Sequence, residues 1–196
     1  MIAFFNENIG KVLMLVLADS QGTKLKYERK GSITRVFRED TGQTVAWNFF
    51  DKTFEKNGEI QLSDQEISKL EAEILKVGFS EQLETEASSN FKVAQIVEMV
   101  DHPDSDHLHI CQVDIGEKNL VQIVCGAANA REGLKTVAAL PISLMPNGTL
   151  IFDGTLRAIE SKGMLCSAKE LNLESQGKIG IIELDSDLVV GSTFNF

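Results

Sequence analysis

The chain has 196 residues, 43% of them apolar and 24% charged, and its 19 Lys and Arg against 29 Asp and Glu leave a formal charge of −10 at pH 7. This is the composition of ordinary globular material, long enough for one domain or two small ones, and two is the division preferred below. The early apolar run Val12 to Ala18 is far too short to cross a bilayer and follows no basic leader or cleavage site, so a cytoplasmic protein without membrane contact is expected.

In chain order, KVLMLVLA from Lys11 is a continuous apolar run of strand length, which predicts a central strand covered on both faces. A turn at Ser20 to Gly22 follows. LKYERKGSITRVFRED then alternates at Leu25, Tyr27, Ile33 and Val36, and TVAWNFF from Thr44 is aromatic and β-branched, so strands divided by Gly31 and Gly42 should form a small antiparallel sheet. Lys24, Lys26, Arg29, Lys30, Arg35 and Arg38 are interleaved with Tyr27 and Phe37, a pattern that suits RNA, although a solvated strand face is the preferred reading.

Ser63 to Glu66 spells a capping box, in which the Ser63 hydroxyl takes a free helix amide and Glu66 reaches back to another. Ile67, Leu70, Ile74 and Leu75 then recur at helical spacing, Glu71 and Glu73 fall outside that stripe, and Gly78 supplies the stop. Such a helix should pack on the sheet. Residues 1–80 are therefore read as an α+β domain of unassigned role, and the polar, aperiodic stretch 81–90 as a linker.

From Phe91 the reading changes to a small all-β barrel. FKVAQIVEMV alternates with a register shift near Ile96 and Val97 that predicts a bulge, His102-Pro103-Asp104-Ser105-Asp106 is a tight turn, and LHICQVDIG is the returning strand. Whether Leu108, Ile110 and Gln112 or His109, Cys111 and Val113 face inward is left open by the pattern. Residues 116–119 make a second turn, and LVQIVC a third strand ending at Gly126. TVAAL from Thr136 is a strand broken by Pro141, Asn147-Gly148 joins ISLM to TLIF as a hairpin, and LRAIES should close the barrel. Ser167 and Glu170 form a second capping box, which predicts a short helix stopped at Asn172.

The cluster of His102, Asp104, Asp106, His107, His109 and Cys111 contains residue types that zinc prefers, but every candidate lies in one turn and strand, so no metal is expected. Cys111, Cys125 and Cys166 are an odd number without CxxC spacing and read as buried thiols. No Ser, Cys or Lys nucleophile stands beside a His in a recognisable pattern, and no phosphate-cradling glycine loop appears, so neither catalysis nor a cofactor is expected.

The segments HPDSDHLHICQVDIG, IVCGAAN and ESKGMLCSAKEL, in that order over residues 91–196, resemble the tRNA-binding domain family, the OB-fold module found in the bacterial phenylalanyl-tRNA synthetase β subunit, at the end of some methionyl-tRNA synthetases and in free-standing proteins. With a separate domain in front, the whole chain resembles the free-standing bacterial tRNA-binding proteins of the YtpR type. The resemblance implies a C-terminal OB-fold barrel that binds tRNA without catalysis, and a homodimer, because free-standing relatives often pair. It also places Ser161 and Met164 by the RNA surface, with Lys162 as a phosphate contact. His107 stands where most members carry Lys, and Asn172 where glycine is usual.

Lys92, Asn129, Arg131, Arg157 and Lys169 complete the expected RNA-binding set with His107, Ser161, Lys162 and Met164, although Asn129, in the turn opened by Gly126, can bond either the backbone or a base edge and the backbone is the preferred reading; Lys135 is a further cation of the same domain. Residues 91–196 hold 8 Lys and Arg against 14 Asp and Glu, so a polyanion is held only if those cations converge on one side. The same residues contain no Trp or Tyr and only four Phe, which favours recognition of tRNA shape through phosphate and 2′-hydroxyl contacts over base stacking. A protein-interaction module attached to the translation machinery, with a synthetase or translation factor as partner and no direct RNA contact, is the alternative reading.

Overall fold

The computed structural model describes residues 1–83, 90–175, 177 and 179–196. It divides into two compact units, Met1–Ala87 and Ser88–Phe196. No helix among the described residues is long and apolar enough to cross a membrane.

The first unit is a six-stranded antiparallel sheet with one helix. Its strands are β1 (Ile2–Asn6), β2 (Val12–Val16), β3 (Leu25–Lys30), β4 (Ile33–Arg38), β5 (Thr44–Phe49) and β6 (Gly58–Ile60), in the order β3-β4-β5-β2-β1-β6. Alternation decides the faces: Ala3, Leu13, Leu15, Ile33, Trp47 and Phe49 all point to one side and are buried there with Ile67, Leu70 and Ile74 of α1 (Asp64–Lys76). Each large side chain so removed from water contributes about 1.5–3 kcal/mol.

The helix starts as its sequence predicts. Ser63 Oγ accepts from the Glu66 amide at 3.4 Å, while the Glu66 carboxylate accepts from the Ser63 amide at 2.8 Å and hydroxyl at 2.7 Å. Those two bonds hold the Glu66 carboxyl below its ordinary value. Leu75, expected on the buried stripe, is 55% exposed, because it lies one residue round the helix from the fully buried Ile74. β2 is central, yet only its Leu13 and Leu15 face is covered by the helix; Met14 and Val16 on the other face stay half-buried.

Of the basic residues on and beside β3 and β4, Arg38 is buried, with its guanidinium donating to Asp19 O and to the Gln21 and Gln43 side-chain oxygens, and four others are paired with acids. Lys24 and Lys26 pair with Glu39, Lys30 with Glu28 and Arg35 with Glu81, all at 3.6 Å or less. Glu81 and the buried Leu83 thus belong to the first unit's packing, and of the linker expected at 81–90, residues 84–89 lie outside the described residues.

The second unit is a nearly closed barrel of OB-like form. β7 (Phe91–Asp101) pairs with β8 (His109–Asp114), β8 with β9 (Val121–Cys125), and β7 on its other edge with β10 (Lys135–Ala139). The hairpin β11 (Ser143–Leu144) with β12 (Leu150–Ile151) turns at Asn147-Gly148, and a second hairpin joins β13 (Asp153–Leu156) to β14 (Ile159–Lys162). β15 (Met164–Leu165) then pairs with β10. The expected bulge sits between Ile96 and Glu98.

Cys111 and Val113 are fully buried, so the set His109, Cys111, Val113 faces inward and the interior is completed by Ala94, Ile96, Ile123, Ala138 and Leu165. The short helix expected at Ser167 is not present among the described residues. Its capping box forms, with Glu170 accepting from the Ser167 amide and hydroxyl at 2.7 and 2.6 Å, but Asn172 enters the left-handed region at φ 54° and ends the segment as a single turn.

All three thiols are free and buried. Burial pushes Cys111 and Cys166 up to about 12, with the neighbouring Cys125 and the Glu170 carboxylate respectively adding to the rise, and burial also raises Cys125. A thiol whose folded value exceeds its unfolded one stabilises the fold below the ordinary 9.0 and ceases to do so as pH climbs toward 12. Stability measured by urea midpoint should therefore fall steadily above about pH 9. In the native protein at pH 8 an aromatic disulfide reagent should label none of the three cysteines within the time that it labels all three in denaturant; fast native labelling would contradict the burial.

Candidate nucleic-acid interface

The loop that joins β7 to β8 is fastened at both ends by His102, whose ring is buried. Its Nδ1 accepts from the Asp104 amide at 3.1 Å, so the ring proton resides on Nε2, which donates to Leu156 O at 3.2 Å. Both ring nitrogens are engaged within the protein. A second tie runs the other way, from Arg157 Nη1 to Asp104 O at 2.5 Å. Loop 102–108 and the tip of the β13–β14 hairpin are therefore tied to each other at two points.

That tip is Arg157-Ala158, and both residues have positive φ, 48° and 66°. A two-residue hairpin turn of this hand usually carries Asn-Gly, and a side chain in it costs roughly 1–2 kcal/mol per residue. The loop contacts around Asp104 hold the strained turn in place and keep Arg157 at its summit.

β14 in turn lies along the free edge of β9. Ser161 Oγ accepts from the Val124 amide at 3.0 Å and donates to Gly163 O at 3.1 Å, and Gln122 Nε2 donates to Glu160 O at 2.7 Å. Gly163 follows at φ 120°, where a Cβ would stand 2.5 Å from Ala139 O; no other residue passes between β10 and the hairpin. The glycine was visible in the sequence, but its reason, a backbone pressed against a neighbouring strand, was not.

The result is an outer face on β7, β8 and β9 that carries Glu98, Val100, Ile110, Gln112 and Gln122, with the tied loop and hairpin at its margin. Arg157, Ser161 and Lys162 lie on that hairpin, His107 is exposed on the tied loop, and Met164 opens β15 just beyond Gly163. Leu108 and the His107 carbonyl approach Gly126 at the end of β9, with Leu108 Cδ2 3.1 Å from where a Cβ would stand. These five residues are brought to one region. Ser161 is there as a structural hydroxyl, with both its bonds to backbone.

Two of the other expected contacts, Asn129 and Arg131, are already engaged, and so is the neighbouring cation Lys135. Asn129 donates to Ile181 O at 2.9 Å and accepts from the Ile181 amide at 3.0 Å, so it fastens the segment after residue 179 instead of offering an edge to a base. Gly180 lies directly beneath that amide, where a Cβ would come within 2.0 Å of Asn129 Oδ1. Arg131 is bidentate on Glu183 at 3.0 and 3.0 Å, which raises its already high pKa, and Lys135 donates to Ser186 O and Leu188 O. Lys92 sits at the opposite end of β7 from the tied loop, paired with Ala138 and bridged to Thr193. Lys169 is exposed on the turn after β15, beside Glu170.

Between the end of β9 and β15 the barrel leaves a cavity of about 300 Å³, lined by Val124, Ala127, Met164, Leu165 and Ile181 among others, with Ser167 and Glu170 at one side. Sequence reasoning did not anticipate it, because the seam arises only when two distant segments fail to pair.

A family model described as "Putative tRNA binding domain" matches residues 91–193, and a domain of unknown function, DUF4479, matches residues 20–86. The chain is 36% identical over 202 residues to the Bacillus subtilis (strain 168) protein named "Putative tRNA-binding protein YtpR", covering 100% of both. It is 49% identical over 112 residues to the phenylalanine–tRNA ligase beta subunit of Sulfurimonas denitrificans, an alignment that takes in 54% of this chain but 14% of that subunit. A looser likeness is to the crystal structure of the C-terminal domain of Plasmodium vivax p43, with a TM-score of 0.37 and 17% identity, covering 52% of this chain and 56% of the other.

The His102 clamp is open to a direct test. Replacing it with alanine strands Leu156 O and the Asp104 amide, which should cost about 1–3 kcal/mol and lower the urea midpoint of the second unit. Amide exchange at Asp104 should accelerate in the same variant; an unchanged midpoint and unchanged exchange would show that the two segments hold together without it.

Proposed function

Because the chain belongs to the tRNA-binding domain family, we propose that it binds tRNA, without catalysing a reaction on it, through the outer face of β7, β8 and β9. The observation that supports this most is the fastening of loop 102–108 to the tip Leu156-Arg157, which leaves Arg157, Lys162 and His107 along one margin of that strand face. Glu98 and Asp114 are acids on that face, and Gln112 and Gln122 supply amide groups with both donor and acceptor capacity.

The barrel is read as an OB-fold in which these strands and the adjoining loops contact the ligand, as such folds do with oligonucleotides. Few cations and no aromatic platform on that face fit recognition of a folded shape by phosphate and 2′-hydroxyl contacts. The fixed charge is small: Lys162 has only a loose contact with Glu160 at 3.7 Å, and Arg157 points its guanidinium at a backbone carbonyl that leaves its charge uncompensated. A cytoplasmic location follows from a tRNA ligand. Pairing of two chains belongs to the same proposal, since it would present two such margins to one RNA, and a synthetase or translation factor is the protein partner that a tRNA carrier would meet.

A gel-shift titration with bulk tRNA at 50 mM salt tests the reading. Neutralising two or three phosphates predicts a slope of log affinity against log salt of about −2 to −3. The double variant Arg157→Glu, Lys162→Glu should weaken binding by about tenfold or more and flatten that slope. Retention of tRNA by the double variant at wild-type strength would remove this face from the proposal. Failure of the wild type to shift tRNA at all would favour the protein-partner alternative.

A further inference from the structure

The cavity at the barrel seam has a composition that the surrounding face lacks. Val124, Ala127, Met164, Leu165 and Ile181 contribute apolar side chains to a lining that also holds polar groups, Ser167 and Glu170 among them, and its volume of about 300 Å³ is at the lower limit of small-ligand sites, which run from roughly 300 to 1,000 Å³. A single planar ring system fits such a space; a chain of nucleotides does not. One acceptor stands at its side. Glu170 Oε2 receives both hydrogens of Ser167, and Oε1 has no hydrogen-bond partner among the described residues.

The carboxylate is fixed by that capping pair, so its second oxygen is held in place before any ligand arrives. Its charge adds to the rise of the Cys125 and Cys166 thiols, and Cys125 belongs to the lining of the same cavity. An ionised carboxylate only accepts, so a ligand edge made of carbonyl oxygens is repelled there and an amino group is drawn in. Lys169 precedes Glu170 on the same exposed turn, and Lys162 ends the hairpin strand one glycine before Met164, so phosphates on either side of a seated ring would meet cations.

We propose that this seam is a pocket for one unpaired nucleobase bearing an exocyclic amino group, packed against the Met164 side chain and donating to Glu170 Oε1. Adenine, cytosine and guanine offer such a group and uracil does not. The N3–H of uracil stands between two carbonyl oxygens that would face the carboxylate. The proposal deepens the tRNA reading and rests on it, because a folded RNA also exposes unpaired bases at its loops and end. It gives a protein without stacking aromatics on this face a means of base discrimination.

The test is fluorescence anisotropy with labelled ten-residue oligocytidylate and oligouridylate at low salt, run beside the tRNA shift. The wild type should prefer oligocytidylate by about tenfold or more. Glu170→Gln keeps the shape and the Ser167 bonds while adding a donor, so it should reduce the preference to less than about threefold, with circular dichroism and melting unchanged. In the wild type, the Met164 methyl resonance should shift on adding oligocytidylate and stay in place with oligouridylate, a readout that needs no variant. Equal binding of the two oligomers by a wild type that holds tRNA, or a preference that survives in a folded Glu170→Gln variant, would overturn the pocket and leave tRNA binding intact. Absence of binding to tRNA and both oligomers alike would overturn both.

Discussion

The hydroxyl of Ser161 accepts the Val124 amide hydrogen at 3.0 Å and gives its own to Gly163 O at 3.1 Å, and at that point the free edge of β9 meets the last part of the barrel. A strand edge left open exposes unpaired amides and invites aggregation, and a full ladder here would have removed that hazard. The chain instead joins the edge through a side chain and one glutamine, Gln122 on Glu160 O. The consequence is a barrel that is shut enough to keep Ile123, Cys111 and Val113 dry yet open enough to leave a cavity beside Met164. Everything along that margin, from the strained Arg157-Ala158 tip to the Gly163 crossing, is positioned by where β14 comes to rest.

Local chemistry was legible wherever a residue acts on its own neighbours. The Ser63 capping box, the Asn147-Gly148 hairpin, the bulge after Ile96 and the cap at Ser167 all depend on side chains within a few positions of the backbone they satisfy. What was not legible depends on distant pairing. β1 and β6 were missed because strands of five and three residues carry little periodicity of their own. Leu75 was placed with the core since spacing allowed it, while the sheet turned out to cover only the arc through Ile67, Leu70 and Ile74. The helix after Ser167 failed for a different reason: a sound start does not make a helix when its stop comes five residues later at Asn172.

The expected site divides in the same way. Residues in the hairpin and loop, Arg157, Lys162, His107, Ser161 and Met164, share a region because the blocks that contain them are joined by the His102 clamp. Asn129 and Arg131 lie in an equally suggestive block but have long-range partners, Ile181 and Glu183, that no reading of the block itself reveals. Counting cations therefore overstated the charge at hand. Arg131 with Glu183 and Lys135 with two carbonyls are attachments of the C-terminal segment, and they account for part of the basic residues that a polyanion was expected to share.

A small and partly screened set of cations changes what kind of binding is physically open to this protein. Asp104 and Asp106 flank the same loop that presents His107, and Glu160 stands opposite Lys162 at 3.7 Å, so a strand of phosphates laid at random across the face meets repulsion as often as attraction. Only a ligand whose phosphates are already spaced by its own fold can touch the cations and avoid the acids. Negative charge around the margin then works as discrimination against unstructured polyanions, at the cost of affinity. On the proposed reading this explains why a net charge of −10 is compatible with an RNA ligand. It also explains why a contact that needs no cation, a base seated at the seam beside Met164, would be worth more here than another lysine: packing of the ring against that side chain does not fade with salt, whereas every phosphate contact does.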